Sequence, residues 1–390
     1  MVNKLLILKS FDMQTKLLAL FALFMPFSRL LNVNTFIIIF LTLIFVFDLF
    51  KKKNFIWRIK NPINGLILYF FVVLFSLLYT TSLKEGFYNI SVWLFLLIPL
   101  SIHFKKTISK DEFKFISFFF ILGNLIAIVY LFVYAIIIFQ SNPTPLFKGF
   151  SYFTAALKMH PSFFSTYVIF SFSLYISLFH PKSGNAIVKY VLWFLLFLLV
   201  FYIKSRAPII IVSLIFFSSI FQTINNKLKY FLFIIMLITV VIFRDTFIEV
   251  LSWRRNFSFA IDERLNIWKS SIDVIKSNLF FGVGVGDFQI ELDKQYFLSG
   301  YDKGIDHSYN SHNQYLHILL STGIIGLVSF LSIYYNLIKK QIQSKSFIIL
   351  AFIILSSILM SFDVTLLMLH GVYFFSLFAT LLLKLNRDDE

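Results

Sequence analysis

The residues best suited to chemistry lie where a polar stretch runs directly into an apolar one, between Asp306 and Leu331. The polar part contains His312 followed by Asn313, and the apolar part has the composition of a membrane helix. A helix N-terminus carries about half a positive charge, which disfavours imidazolium, so we expect His312 to be mostly neutral. A neutral imidazole can accept a proton from a hydroxyl group. This stretch therefore indicates proton transfer on a polar substrate at the membrane surface; the alternative is a structural histidine that is hydrogen-bonded to its loop.

Two arginines are placed where they could bind an anion. Arg206 lies in a tight hairpin between two apolar runs, and Arg264 lies on the apolar face of a helical segment, one turn before Trp268. The planar guanidinium matches the geometry of phosphate oxygens. The alternatives are an Arg206 that reaches lipid headgroups, and an Arg264 that stacks on Trp268 or pairs with Asp262 or Glu263.

Three further histidines are weaker candidates. His160 stands at the mouth of an apolar run, directly before a proline, and His307 lies in the loop ahead of His312 without a positional argument. His317 is five residues beyond His312, about 140° around a helix, so both side chains cannot face one small site. A zinc site on His307 and His312 lacks a third ligand.

The glycine-rich segment 282–286 is not a dinucleotide-binding fingerprint, because it follows a helical segment rather than a strand. Its glycines instead favour a close backbone turn beside the site. The nearby carboxylates Asp287, Glu291 and Asp293 have no spacing that is specific for a divalent cation. We therefore assign neither a metal nor a cofactor.

The segment HNQYLHILLSTGIIGLVSFL, which begins at His312, resembles the C-terminal signature of the O-antigen ligase and O-antigen polymerase superfamily. That signature is a His-Asn pair, an apolar run and a Gly-x-x-Gly-Leu helix. Ser205-Arg206-Ala207 resembles the family's Ser-Arg motif, and the segment from Arg264 through the glycines resembles the region ahead of the His-Asn helix. The similarity covers about 155–340. One position departs from it, because many relatives have Glu where this chain has Ser321.

The resemblance implies an inverting glycosyl transfer. A glycan on undecaprenyl pyrophosphate is transferred to an acceptor sugar hydroxyl of the lipid A-core, and the lipid diphosphate leaves. It implies that His312 is the catalytic base and that Arg206 and Arg264 bind the diphosphate in place of a metal ion. His160, His307 and Asn313 are secondary candidates. A polymerase that joins lipid-linked repeat units is the alternative within the superfamily, and a polysaccharide or lipid transporter is the alternative from another class.

The composition is that of a polytopic membrane protein. The chain is 59% hydrophobic and 14% charged, with a mean hydropathy of +0.84, against about 45–50% and 25% in a soluble domain. The absence of cysteine excludes disulfides and thiol catalysis. The net charge of +16 indicates basic cytoplasmic loops rather than nucleic-acid binding.

Apolar runs predict an all-α bundle of about twelve spans in one membrane domain, 1–390. The predicted spans are 17–31, 34–50, 63–80, 87–103, 115–139, 161–179, 188–203, 207–224, 229–243, 313–337, 346–362 and 366–384. With both termini cytoplasmic, the inner segments hold 21 Lys and Arg residues and the short outer segments hold 6. This bias predicts that the long loop 244–310 lies on the extracytoplasmic side of the membrane and that the active site faces the periplasm. An amphipathic helix over 262–277 is expected within that loop.

Overall fold

The computed structural model describes residues 11–51, 61–102, 107–141, 153–179, 192–196, 198–200, 206–221 and 257–386. Across these ranges the fold is helical, with one isolated bridge between Ile108 and Leu385. The longer helices are α1 (Met13–Phe24), α2 (Val33–Lys51), α3 (Asn64–Phe75), α4 (Leu83–Trp93), α5 (Lys110–Ser141), α6 (Pro161–Leu178), α7 (Arg206–Phe221), α8 (Phe257–Ser277), α9 (Phe288–Leu298), α10 (Gln314–Ser344), α11 (Phe347–Phe362) and α12 (Leu369–Lys384).

Nine of the predicted spans coincide with apolar helices in the described ranges. Five helical stretches are long and apolar enough to cross a membrane: Met13–Leu31, Val33–Phe50, Lys110–Ile138, Pro161–Leu178 and Gln314–Ser344. Four shorter apolar helices accompany them: Asn64–Leu78, Ala207–Ser219, Phe347–Phe362 and Leu369–Lys384. The all-α membrane bundle is thus present, while the total of twelve spans stays a prediction.

The predicted span 87–103 is not one helix. α4 ends at Trp93 and is followed by a 3-10 helix, Leu94–Leu97, and a short α-helix, Ile98–Ser101. Pro99 lacks a backbone N–H and is accommodated only in the first turn of that new helix. The predicted span 188–203 is described only at 192–196 and 198–200, and 229–243 lies outside the described residues.

α12 forms the centre of the bundle, because every one of its residues after Leu369 is buried. Its aromatic side chains interlock with those of neighbouring helices. Phe378 packs edge-on against Phe120 of α5 and Phe170 of α6, with ring centroids 4.8 and 4.7 Å apart. This packing fixes α6, whose N-cap residue is His160.

α10 coincides with the predicted span 313–337, but the expectation of one continuous helix there was wrong. Gly323 has non-helical backbone angles, φ 63° and ψ −162°. The rings of Tyr315 and Phe330 lie 6.3 Å apart, whereas fifteen residues of continuous helix would separate them by about 22 Å. The segment 314–322 therefore folds back against 324–344. The second segment, about 31 Å long, is sufficient to cross the hydrocarbon core.

The glycine segment 282–286 supplies the backbone partners that this break requires. Val283 N donates to Leu320 O at 2.8 Å, Gly284 N donates to Ser321 O at 3.0 Å, and Ile324 N donates to Leu279 O at 2.9 Å. Inside a membrane, a broken helix is tolerated only where other protein groups satisfy its backbone. The two glycine motifs in the sequence are therefore two sides of one contact.

Gly323→Ala is expected to disrupt this contact. A Cβ atom at Gly323 would lie 2.2 Å from Phe280 O, on a backbone with φ +63°, so steric overlap adds to the left-handed strain. Gly300 is a matched control, because it has φ +67° and no atom within 4 Å of the added Cβ. Gly300→Ala should cost only about 1–2 kcal/mol. Thermal unfolding in detergent should therefore show a much larger loss of stability for Gly323→Ala, and equal losses would contradict the account.

α8 covers the predicted amphipathic segment 262–277. Ile267, Ser271, Val274 and Ile275 are buried on one face. The three apolar residues among them form a separate cluster with side chains of α9 and with Leu320 of α10. The neighbouring positions Leu265, Asn266 and Lys269 are exposed. This cluster holds Arg264, near the start of the helix, against the rest of the bundle.

The side of the membrane on which this region lies can be tested at Ser299, which is exposed at the end of α9. The chain has no cysteine, so a single introduced thiol is unambiguous. We expect Ser299→Cys to react with a membrane-impermeant thiol reagent in intact spheroplasts. Gln343→Cys, exposed at the opposite end of α10, should react only after lysis. Labelling of Gln343→Cys in intact spheroplasts, with Ser299→Cys labelled only after lysis, would show the opposite topology.

Candidate functional site

His312 lies in a tight turn immediately before α10. Its backbone is left-handed, with φ +43°, and its N–H donates to Asn310 Oδ1 at 2.9 Å. Asn313 is the N-cap of α10, since its Oδ1 accepts from Tyr315 N and Leu316 N at 2.9 and 3.1 Å. Asn313 Nδ2 also donates to Ser361 O at 3.2 Å. Asn313 thus fixes the turn that presents the half-buried His312 side chain.

Arg264 connects this turn to the end of α11. Its Nη1 donates to Phe362 O at 2.8 Å and to His312 O at 3.4 Å. The guanidinium also lies over the Phe362 ring, 5.7 Å from its centroid. Phe362 is therefore an aromatic partner of Arg264, whereas the sequence had suggested Trp268. Glu263 is ion-paired with Lys303.

Asp363 is a further member of this site, and the sequence motifs did not identify it. It is the C-cap of α11, and its Oδ1 accepts from Val364 N at 2.8 Å. Because Ser361 O and Phe362 O are bonded to Asn313 and Arg264, Asp363 is brought beside His312. The only advance signal was a single carboxylate at the boundary of two apolar runs.

The pKa of the His312 imidazole is lowered from its ordinary value, chiefly because burial disfavours the charged form. The Asp363 carboxylate opposes this shift, the positive charges of Arg264 and His160 reinforce it, and Glu263 opposes it. The expected neutral imidazole is therefore favoured, and burial is its main cause. α10 begins two residues later, at Gln314.

The secondary histidines occupy two different positions. His160 is the exposed N-cap of α6, where its Nδ1 accepts from Ser162 N at 3.3 Å, and its charge acts on His312. His307 is exposed and reaches the site through Tyr309, whose ring lies 5.3 Å from His307 and 5.7 Å from His312. His317 is fully buried between Trp93 and Phe288.

The remaining candidates are less directly placed. Arg206 is the first residue of α7, which packs against α11, but its side chain lies outside what the structure describes. The Asp287 carboxylate accepts from the backbone N–H groups of Thr81 and Ser82 at 2.7 and 2.8 Å. Among the described residues, no group of three or more His, Asp or Glu side chains is placed to hold a metal ion. Chelation with EDTA tests directly whether the protein needs a metal ion.

The fold and this site define a polytopic helical membrane protein with a base, a guanidinium and a carboxylate gathered at the ends of α8, α10 and α11. Comparison with protein families gives a match to the model described as O-antigen ligase, over residues 191–331. The match covers the segment 191–331, and there the resemblance to the O-antigen ligase superfamily seen in the sequence is confirmed. No curated protein matches the chain.

This match supports a ligase-like or polymerase-like role in polysaccharide assembly, and the matched family implies glycosyl transfer from lipid-linked glycans. The membrane helices and the family together fit a bacterial membrane protein. The matched segment includes Arg206, Arg264, His307, His312 and Asn313, whereas Asp363 and His160 lie outside it.

Proposed function

We propose that the protein transfers a glycan from undecaprenyl pyrophosphate to a sugar hydroxyl of the lipid A-core at the periplasmic face of the inner membrane. The acceptor O–H bond breaks, and its proton goes to His312. The oxygen forms a bond to the anomeric carbon from the side opposite the diphosphate. The bond from that carbon to the diphosphate oxygen breaks, the leaving group keeps the electron pair, and the configuration inverts.

The observation that carries this proposal is the contact between Arg264 and the His312 turn. Arg264 Nη1 donates to His312 O and to Phe362 O, so a cation and a neutral base are held on one small framework. A diphosphate is already a good leaving group and needs neutralisation of its developing charge more than a proton donor. The acceptor hydroxyl needs a base. Arg264 meets the first requirement, and His312 meets the second.

Asp363 is assigned a positioning role in the same reaction. A carboxylate beside an imidazole stabilises the imidazolium that forms when the base accepts a proton. Asp363 raises the pKa of His312 and Arg264 lowers it, so the two charges act on the imidazole in opposite directions. Arg206 is proposed as the second diphosphate ligand, from its position in the Ser-Arg motif that the family shares.

Two other functions are separable by experiment. A polymerase would use a second lipid-linked repeat unit as acceptor with the same base and cation. A transporter would need polar or ionisable groups that line a path through the bundle, whereas the charged cluster described above lies at the helix ends. This placement supports transfer chemistry over transport.

Deletion of the gene, followed by electrophoresis of the surface polysaccharide, tests the proposal. Loss of long chains from the lipid A-core, with lipid-linked polymer accumulating, is the expected result. A single repeat unit on the core would identify a polymerase instead. Unchanged long-chain polysaccharide would overturn both assignments. Complementation with the wild-type gene and with the His312→Asn variant separates loss of catalysis from loss of the protein.

A further inference from the structure

The geometry points to an acceptor-sugar subsite formed by His307 and Tyr309, directly beside His312. This inference rests on the proposed function and adds to it the surface on which the acceptor binds. The ligand is a pyranose ring whose C–H face packs on the Tyr309 ring and whose hydroxyl groups reach His307. Neither residue has a role in the transfer chemistry described above.

Three aromatic rings form a row that leads from the exposed His307 to the half-buried His312. The ring of Tyr309 is tilted by 38° from that of His307, at 5.3 Å, and by 61° from that of His312, at 5.7 Å. The Tyr309 ring thus connects the exposed imidazole of His307 to the half-buried imidazole of His312. A sugar that packs on Tyr309 and reaches His307 would have its hydroxyl groups beside the proposed base.

The position of Tyr309 is fixed by its backbone. Its carbonyl accepts from Tyr296 Oη at 3.0 Å and from Gln289 Nε2 at 3.2 Å, and its N–H donates to Gly304 O at 3.0 Å. Tyr296 itself is fully buried. A stacking residue whose backbone is already fixed needs little additional ordering on binding.

The chemistry of the surface suits a sugar better than a diphosphate. The face of an aromatic ring is the negative part of its quadrupole, which attracts polarised C–H groups and disfavours an anion. An imidazole supplies both a donor and an acceptor for hydroxyl groups. The guanidinium of Arg264, in contrast, meets His312 at its backbone carbonyl. His312 therefore lies between a cation for the donor and an aromatic surface for the acceptor.

Binding of simple sugars tests this subsite without the donor and without catalysis. The probes are methyl galactopyranoside and methyl glucopyranoside at millimolar concentration, with the full-length protein in nanodiscs and saturation-transfer NMR as the readout. We expect Tyr309→Leu to weaken binding about fivefold to tenfold, the size of one aromatic contact. Tyr309→Phe should bind like the wild type. Phe297→Leu, a matched change at an aromatic residue that is 73% exposed on the end of α9, should also have no effect.

The transfer reaction supplies the second readout. Tyr309→Leu should raise the KM for the acceptor and leave the KM for the lipid-linked donor unchanged. A rise in the donor KM alone, unchanged binding in Tyr309→Leu, or no saturation transfer to either sugar in the wild type would overturn the subsite. The proposed function fails independently, because His312→Asn should abolish transfer while sugar binding persists.

Discussion

His312→Asn is expected to lower the rate of glycan transfer by about 10²–10⁴-fold, the range for loss of a positioned general base. An amide cannot accept the acceptor's proton at neutral pH. Asparagine tolerates the left-handed backbone that His312 adopts, with φ +43°, so the variant should fold normally. Initial rates with purified protein, compared at equal amounts of folded protein, measure the effect.

His317→Leu is the matched control for this substitution. His317 is fully buried, and neither ring nitrogen has a hydrogen-bond partner among the described residues. An apolar side chain of similar size should therefore keep activity within about threefold of the wild type, as a volume-conserving core substitution. If His312→Asn kept wild-type activity, His312 would not be the base, and His160 or His307 would become the candidate.

The pH dependence of the same rate gives an independent check on His312. Since burial lowers the pKa of His312, the active neutral form should persist below the ordinary pKa of about 6.5, and the rate should decline only at lower pH. Asp363→Asn removes the charge that opposes this shift. It should therefore move the decline to still lower pH, while the plateau rate falls because the base is weaker. A shift to higher pH would reject the assignment.

Arg264→Lys is expected to lower transfer by about 10²-fold or more, the size of the loss of one transition-state donor. Lysine keeps the charge but lacks the planar fork, and it cannot reproduce the Arg264 contacts to the carbonyls of Phe362 and His312. Arg206→Lys is expected to have a similar effect if both residues hold the diphosphate. Rates with saturating acceptor and variable donor measure the change.

Arg29→Lys is the control, because Arg29 is another arginine at a span end and its guanidinium contacts Met368 Sδ at 3.7 Å. It should retain wild-type activity. Inhibition by undecaprenyl diphosphate separates the two possible roles of Arg264. A diphosphate ligand should lose inhibitor affinity together with rate, whereas a residue that only holds the His312 turn should lose rate alone. Normal turnover in Arg264→Lys would reject both roles.

The sequence was most informative where one local property decided the structure. Apolar length located α5, α6 and α11, because burial in lipid demands helices whatever their neighbours. The spacing around Arg264 identified the face that α8 buries, because a helix that packs on one side must repeat its apolar residues with the helical period. The family motif then selected His312 among several histidines.

The parts that could not be predicted depend on contacts between distant segments. In the sequence, Gly323 is one small residue inside a long apolar run. The helix can break there because the backbone N–H groups of Val283 and Gly284 donate to the carbonyls that precede the break. Asp363 gained its place beside His312 because α11 ends against the turn before α10. The same contacts bury the His312 side chain, and this burial is the first cause of its lowered pKa.

The most direct test of the account is transfer by the purified protein in nanodiscs, with a lipid-linked glycan donor, a core-oligosaccharide acceptor and EDTA. The account predicts one new glycosidic bond for each undecaprenyl diphosphate released, at a rate that chelation does not change and that His312→Asn lowers by about 10²–10⁴-fold. Loss of the reaction in EDTA would put a metal into the mechanism in place of the arginines. No new glycosidic bond, with the glycan lipid moved across the bilayer instead, would contradict the central claim.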